Sequence, residues 1–385
     1  MSSYGSLLLA VPAVAALGAV YSVVRTLVGV RRLDLAPPEP PRWPKISIVV
    51  PACNEADTLA DAMRAKLASD YPNLEIVLVD DRSTDETGAI VDRLAAEDAR
   101  IVPLHIDRLP EGWLGKLHAM HVGARAATGE WLLFSDADVH LAPGLLRRAV
   151  AVAEQRRLDF MTMVPHLWTT GIVALDAALT SFLRIGVSLG RLWAVSDPLS
   201  RAAVGGGLFN MVRRSAFERT PGFEWLRLEI TDDLAFGQMM KRSGARCAVF
   251  NGRDDVCLYF YRTVREMAGG FEKSFGGTKA WPVIATCLGL LFVELAPLAF
   301  LTAPERAVRA VAVAIILVTT CAQVAVARWS GRPAATGAVP FVGASLLFVV
   351  ALRSAVLAHA RGGVRWRGTW YSSAALRAGR RVELF

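Results

Sequence analysis

Two aspartates, Asp136 and Asp138, stand one residue apart directly behind the apolar run Trp131-Leu132-Leu133-Phe134. A short buried strand over Trp131–Phe134 carries both carboxylates to its C-terminal end on one face, because side chains alternate along a strand. Ligands of open α/β sheets bind at that edge. Two carboxylates this close stay ionised more readily when a cation sits between them. Mg²⁺ is commonly held by one or two carboxylates plus substrate phosphates. A solvated turn after a strand has the same local pattern, so the neighbouring segments must decide.

Those neighbours repeat the arrangement. Ile46–Val50 is a continuous, mostly β-branched run closed by Pro51, with Asn54 and Glu55 just beyond. Leu74–Val79 is a second buried strand ending in Asp80-Asp81, and Ile101–Ile106 reads as a third. Helical spacing covers Glu55–Leu67 with Asn54 as N-cap, Thr84–Ala96 with Ser83 or Thr84 as cap, and Leu117–Ala127. The alternation predicts an α/β fold with a mainly parallel central sheet and helices on both sides. Three polar clusters then converge on one sheet edge, which suits a nucleotide and its metal. No Gly-x-Gly-x-x-Gly follows the first strand and no Gly-x-x-x-x-Gly-Lys-Ser/Thr occurs. This argues against a dinucleotide dehydrogenase and a P-loop enzyme. Phosphate binding falls to the metal and to basic side chains, with Lys116 in Gly112-Trp113-Leu114-Gly115-Lys116 the first candidate and an exposed loop lysine the alternative.

The chain has 385 residues, of which 53% are hydrophobic, and a formal net charge of +8; its mean hydropathy is +0.36. Four stretches are about long enough to cross a bilayer: Ser6–Val24, Trp281–Leu301, Ala310–Ala327 and Gly337–Ala358. The layout read from this is an N-terminal anchor (1–30), a stiff Pro37–Pro41 linker, a soluble domain (44–277), C-terminal transmembrane or re-entrant helices (281–358) and a basic tail (359–385). Met1-Ser2-Ser3-Tyr4 lacks the positive charge of a signal peptide, whereas Arg25, Arg31 and Arg32 follow the apolar run. That asymmetry favours an uncleaved anchor with the domain in the cytoplasm, in a multi-pass protein of the cell membrane. Arginines flank apolar spans and cluster at Arg361–Arg381, so anionic lipid headgroups explain the basic charge better than nucleic acid. Four crossings would nevertheless put the arginine-rich tail outside, and Glu294 and Pro297 make Trp281–Leu301 the weakest span. The five cysteines show no metal-ligand spacing and read as small buried hydrophobes. Gly171–Val195 reads either as a helix on the membrane surface or as a core helix.

Taken together, Val49–Glu55, Val79–Asp85, Gly115-Lys116 and Ser135–Asp138 resemble a family-2 glycosyltransferase of the GT-A nucleotide-diphospho-sugar transferase fold, over roughly Ile46–Gly277. Trp113-Leu114-Gly115-Lys116 and Arg365-Trp366-Arg367-Gly368 look like its membrane-bound branch, which includes ceramide, carotenoid and hopanoid-associated enzymes. The resemblance implies that Pro51, Asn54, Glu55, Asp80 and Asp81 hold a uridine-type base and ribose. It implies that Asp136 and Asp138 hold Mg²⁺ or Mn²⁺, with Asp138 the more direct ligand. It makes Asp233 the catalytic base, preceded by the acidic Asp232; acidic residues at a helix N-terminus are the structural alternative. A base is required chemically, since an acceptor hydroxyl loses its proton as it attacks the anomeric carbon.

Gly206, in Gly205-Gly206-Gly207, would let the backbone approach sugar or acceptor. The Gln-x-x-Arg-Trp motif of processive synthases is absent, and Arg262 or Arg265 is expected on the diphosphate instead. His121 stands where many relatives have Asn. The expected activity is inverting transfer from a nucleotide-sugar, with UDP as the nucleotide, to a hydroxyl of a membrane lipid. A processive synthase, a nucleotidyltransferase and a non-catalytic membrane scaffold are the rivals.

Overall fold

The computed structural model describes residues 2–382, with side chains described from residue 8 onward, so Met1 and the last three residues of the basic tail lie outside the described residues. A 28-residue helix, α1 (Ser2–Gly29), precedes an eight-stranded sheet. The strands are β1 (Ile46–Ala52), β2 (Leu74–Asp81), β3 (Ile101–Ile106), β4 (Trp131–Phe134), β5 (His140–Leu141), β6 (Phe160–Leu167), β7 (Asn210–Arg213) and β8 (Cys247–Leu258), in the spatial order β3-β2-β1-β4-β7-β6-β8-β5. The neighbours β3-β2, β2-β1, β1-β4 and β6-β8 run parallel, while β7 is antiparallel to both β4 and β6. Interleaved helices are α2 (Leu59–Leu67), α3 (Thr87–Glu97), α4 (Gly115–Ala126), α5 (Leu145–Gln155), α6 (Val173–Gly190), α7 (Arg214–Phe217), α8 (Gly222–Leu226) and α9 (Asp232–Arg242). The chain continues through α10 (Val264–Ser274), α11 (Ala280–Ala299), α12 (Arg306–Trp329) and α13 (Pro340–Ala360) to a hairpin of β9 (Gly363–Trp366) and β10 (Thr369–Ser372), then α14 (Ser373–Gly379).

Strand alternation builds two cores. Ile46, Ile48, Val50, Ile76, Leu78, Trp131 and Leu133 pack on one face of the sheet. Val49, Val77, Val79, Leu132 and Phe134 pack on the other. These strands are buried on both faces, which explains their continuous apolar sequence. On the second face Phe134 meets Phe236 edge to face, with ring centroids 5.5 Å apart. Phe223 and Phe217 complete that aromatic cluster. Phe134 precedes Asp136 by two residues and Phe236 follows Asp233 by three, so this contact fixes the end of β4 against the start of α9.

Two expected helix starts are corrected. Asn54 does not cap α2, whose first residue is Leu59. Asn54 takes φ 55° instead, and its side-chain oxygen accepts from the Thr84 backbone N–H at 2.8 Å. Likewise α3 begins at Thr87 rather than Thr84, because the Ser83 hydroxyl accepts from the Asn54 N–H and the Asp85 carboxylate from the Ala56 N–H. These polar residues lace the β1–α2 and β2–α3 loops together at the sheet edge instead of starting helices.

Among the described residues, five helices are long and apolar enough to cross a membrane: residues 8–29 and 173–190, then 280–302, 306–329 and 340–360. The second lies in the stretch 171–195, where α6 is half buried against its neighbours. Arg184 of α6 pairs with Glu294 of α11 at 2.5 Å, and its Nε donates to Gln323 of α12 at 3.0 Å. Charged side chains among apolar helices are tolerable when paired in this way. Pro297 falls in the last turn of α11, where it interrupts little. Asn251 of β8 anchors two helix ends at once: its N–H donates to the Arg31 carbonyl just past α1 and its side chain to the Trp329 carbonyl at the end of α12, both at 2.8 Å.

Candidate functional site

The C-terminal ends of β1, β2 and β4 meet at one edge, with Ala52 registered beside Asp80 and Val49 beside Phe134. Beyond β4 the Ser135 hydroxyl donates to the Leu208 carbonyl at 3.0 Å and the Asp136 N–H to the Gly207 carbonyl at 3.2 Å. Lys66, buried on α2, donates to the carbonyls of Asp136 and Val139. These bonds fix the loop that carries Asp136 and Asp138. Lys66 was not singled out from the sequence. Its signal is a lysine on the apolar stripe Leu59, Ala62, Met63, Lys66, where a cation must find internal acceptors. Burial lowers Lys66 to about 8, against the pull of Asp138 and Asp136.

Lys116 is the hub of the carboxylate cluster. Its Nζ lies 2.9 Å from Asp136 Oδ1 and 3.4 Å from Asp232 Oδ2. Burial opposes its charge, but Asp136, Asp232 and Asp233 outweigh burial and hold Lys116 well above the ordinary lysine range. Asp233 is half-buried. Loss of solvent around it and the adjacent Asp232 still push its carboxyl up to about 7, against the pull of Lys116. Asp138 is also raised, first by burial and then by Asp136.

A side chain at Gly207 would not fit here. A Cβ at that position would lie 2.7 Å from Asp233 Oδ1 and 2.9 Å from Lys116 Nζ. Gly206 instead faces Thr162, and its N–H donates to Asn210 Oδ1 at 2.9 Å. The glycine whose surface borders the carboxylates is therefore Gly207.

At the ends of β1 and β2, Asp81 accepts two bonds from Arg82, at 2.8 and 3.0 Å. Asp80 faces His105 at 3.2 Å. Pro51 sits within β1, paired with Val79. Glu55 pairs with Arg367 at 3.0 Å; burial raises its carboxyl while Arg367 opposes the shift. Arg262 and Arg265 are exposed. Arg262 stacks 4.3 Å over the Tyr259 ring and lines a cavity of about 230 Å³ with Asp57, Thr58, Asp61, Asp138, His140 and Trp168. Lys273 stands near Lys116, Asp232 and Asp136, and Arg367 beside Glu55; neither was chosen from the sequence. His121 packs beside Trp113, with ring centroids 5.1 Å apart.

No cluster of three or more His, Cys, Asp or Glu suited to a metal occurs among the described residues. The donor set nonetheless fits a hard divalent cation. Asp136 and Asp138 offer oxygen ligands, and Asp138, raised first by burial and then by Asp136, is a carboxyl whose charge a cation would stabilise. Mg²⁺ characteristically takes its remaining ligands from phosphates and water.

A parallel sheet edge carrying an Asp-x-Asp loop, faced by a helix that begins with two aspartates, defines the GT-A class of fold. Residues 47–172 match the model of Glycosyl transferase family 2, so the chain contains a family-2 glycosyltransferase domain. It is 35% identical over 118 residues to the succinoglycan biosynthesis protein ExoO of Rhizobium meliloti, a match covering 31% of this chain and 32% of that one. It is 24% identical over 254 residues to the 4,4'-diaponeurosporenoate glycosyltransferase of Staphylococcus haemolyticus, covering 64% and 66%. The first curated relatives are thus matched over about a third of their length. A mannosyltransferase from Pyrobaculum calidifontis, solved in complex with GDP-Man and Mn²⁺, superposes with a TM-score of 0.56 at 20% identity, over 91% of this chain and 98% of that one. That likeness establishes the fold.

Proposed function

We propose that the protein is an inverting glycosyltransferase that moves a sugar from a nucleotide-diphosphate donor, a UDP-sugar, to a hydroxyl of a membrane lipid. The observation that carries this reading is the Lys116-centred cluster, which brings Asp136 within 2.9 Å and Asp232 within 3.4 Å of one ammonium while Asp233 stands across Gly207. Asp233, with its affinity for a proton raised to about 7, is matched to general-base work near neutral pH. It takes the proton of the acceptor hydroxyl as that oxygen attacks the anomeric carbon from the face opposite the leaving diphosphate. Lys116 keeps the carboxylates together and remains charged throughout. Asp136 and Asp138 would hold Mg²⁺ or Mn²⁺, which when bound neutralises charge on the diphosphate.

Support for a lipid acceptor comes from the tethering of the domain. Membrane residence raises the effective concentration of an amphiphilic acceptor. We read α1, α11 and α12 as crossing the bilayer, and α6 and α13 as lying between the bilayer and the catalytic domain. Arg31 and Trp329 share the Asn251 anchor, whereas Leu9 packs against Val308 and Ala312, so α1 and α12 run in the same sense, each with its C-terminal end at the domain. Both ends of α6 return to the central sheet. The start of α13 is joined to α6 through Thr336 and Thr180, and its end to α10 through Arg353 and Arg361 on Glu272. With three crossings the basic tail falls on the domain's side, in keeping with the positive-inside trend, and that side is the cytoplasm.

The test is incubation of the detergent-solubilised protein with a panel of nucleotide sugars, Mn²⁺ and total membrane lipid. The reading expects one nucleoside diphosphate released per singly glycosylated lipid, detected by mass spectrometry. Pyrophosphate release, a ladder of product lengths or no turnover with any donor would overturn it.

A further inference from the structure

After α13 the chain turns back to the nucleotide edge of the catalytic domain. The β9–β10 hairpin touches three separate parts of that edge. Arg367 Nη2 lies 3.0 Å from Glu55 Oε1. Thr369 Oγ1 accepts from Arg82 Nη1 at 3.3 Å, and Arg82 in turn grips Asp81. The Tyr371 side chain lies against Gly115, next to Lys116. Val364, Tyr371 and Leu376 belong to the core that also contains Leu114 and Leu117, so the hairpin is seated firmly.

Two cations delivered there have donor capacity that the protein leaves unused. A guanidinium has five donor hydrogens; Arg367 gives one contact to Glu55, and its buried Nη1 has no hydrogen-bond partner among the described residues. Lys273 of α10 lies 4.4 Å from the Trp366 ring centroid and has no carboxylate ion pair among the described residues. It stands among Lys116, Asp232, Asp136 and Arg367. Lys116, by contrast, is already engaged by Asp136 and Asp232. An unpaired cation in a partly buried site is costly and is relieved by an anion.

We propose that Lys273 and Arg367 form a clamp for the phosphate oxygens of a nucleoside diphosphate, supplied by the helix before the membrane segments and by the hairpin after them. The proposal rests on the nucleotide-sugar reading above and names residues other than the expected Arg262 and Arg265. Arg367 presents planar paired donors suited to phosphate, and Lys273 a point charge held by an aromatic face. Because Glu272, the neighbour of Lys273, pairs with Arg353 and Arg361, the clamp is tied directly to α13.

The experiment measures binding of UDP, UMP, GDP and GMP to the full-length protein in detergent with Mn²⁺, by calorimetry. Lys273→Ala and Arg367→Ala should each weaken the diphosphate of the preferred base by about tenfold or more while changing the monophosphate less than about twofold. Arg367→Lys should recover part of the loss. Equal weakening of diphosphate and monophosphate would reduce the hairpin to a structural support and overturn the clamp. An unchanged preference in both variants would overturn it while leaving the proposed function standing. Failure of the wild type to bind either diphosphate would overturn the proposed function and the clamp with it.

Discussion

The Lys116 ammonium stands 2.9 Å from the Asp136 carboxylate. This pair joins the loop after β4 to the helix that starts at Asp232, since the same ammonium reaches Asp232. Without it, Asp136, Asp232 and Asp233 would repel one another across a narrow cleft. Lys116 therefore serves first to assemble the carboxylates, and its high proton affinity keeps it charged while they change partners.

Asp138→Asn removes one of the two carboxylates proposed to hold the metal and leaves the Lys116–Asp136 pair intact. The Mn²⁺ concentration giving half-maximal donor binding should rise by about tenfold or more. Titration of Mn²⁺ against donor binding checks this; an unchanged midpoint removes Asp138 from the metal site.

Gly207→Ala places a methyl 2.7 Å from Asp233 Oδ1 and 2.9 Å from Lys116 Nζ. Either Asp233, the proposed base, or the Lys116 ammonium must shift, and a misplacement of about 1 Å can cost on the order of 10²-fold in rate. Turnover should fall accordingly while the thermal midpoint moves little. Gly206→Ala, facing Thr162 at 3.2 Å, should be milder. Equal effects of the two substitutions would contradict the assignment.

Glu75 supplies a pH-dependent part of the fold's stability. Burial acts to raise its carboxyl, but bonds from Lys45, Ser47 and Thr128 prevail and bring it from 4.5 down to about 2. A depressed carboxylate contributes stability that is complete above its unfolded value and is lost as pH falls through the folded value. Glu75→Gln should cost about 1–3 kcal/mol at neutral pH, and the gap to wild type should close as pH falls from about 4.5 toward 2. Thermal midpoints measured across that range decide; a gap independent of pH contradicts the account.

The three-crossing arrangement predicts opposite labelling of two single cysteines in a cysteine-free background. An impermeant maleimide added to intact cells should label position 305 in Glu305→Cys and spare position 380 in Arg380→Cys. Labelling of both, or of 380 alone, would contradict it.

The first half of the sheet was legible because β1, β2 and β4 are buried on both faces and so read as uninterrupted apolar runs. Helix starts were misplaced where Asn54, Ser83 and Thr84 bond across loops, a use that looks like capping until the partner segment is known. The second half was obscure for other reasons. β7 is only four residues long, and β8 carries Asn251, Arg253, Asp254 and Asp255 within a strand. Asp136 and Asp138 stood out by their spacing behind a strand and Asp232 and Asp233 by the family resemblance; the fold gathers Asp136, Asp232 and Asp233 around Lys116. Arg367 was not assigned a role because its partner Glu55 lies 312 residues away. Lys273 followed no motif, and only its packing over Trp366 reveals its position.

The central claim is that Asp233 removes the acceptor proton, and Asp233→Asn tests it most directly. The substitution keeps the size of the side chain and removes the basic oxygen. Single-turnover transfer to lipid should fall by about 10²–10⁴-fold, with donor affinity in the presence of Mn²⁺ unchanged within about twofold. Transfer at the wild-type rate would contradict the account.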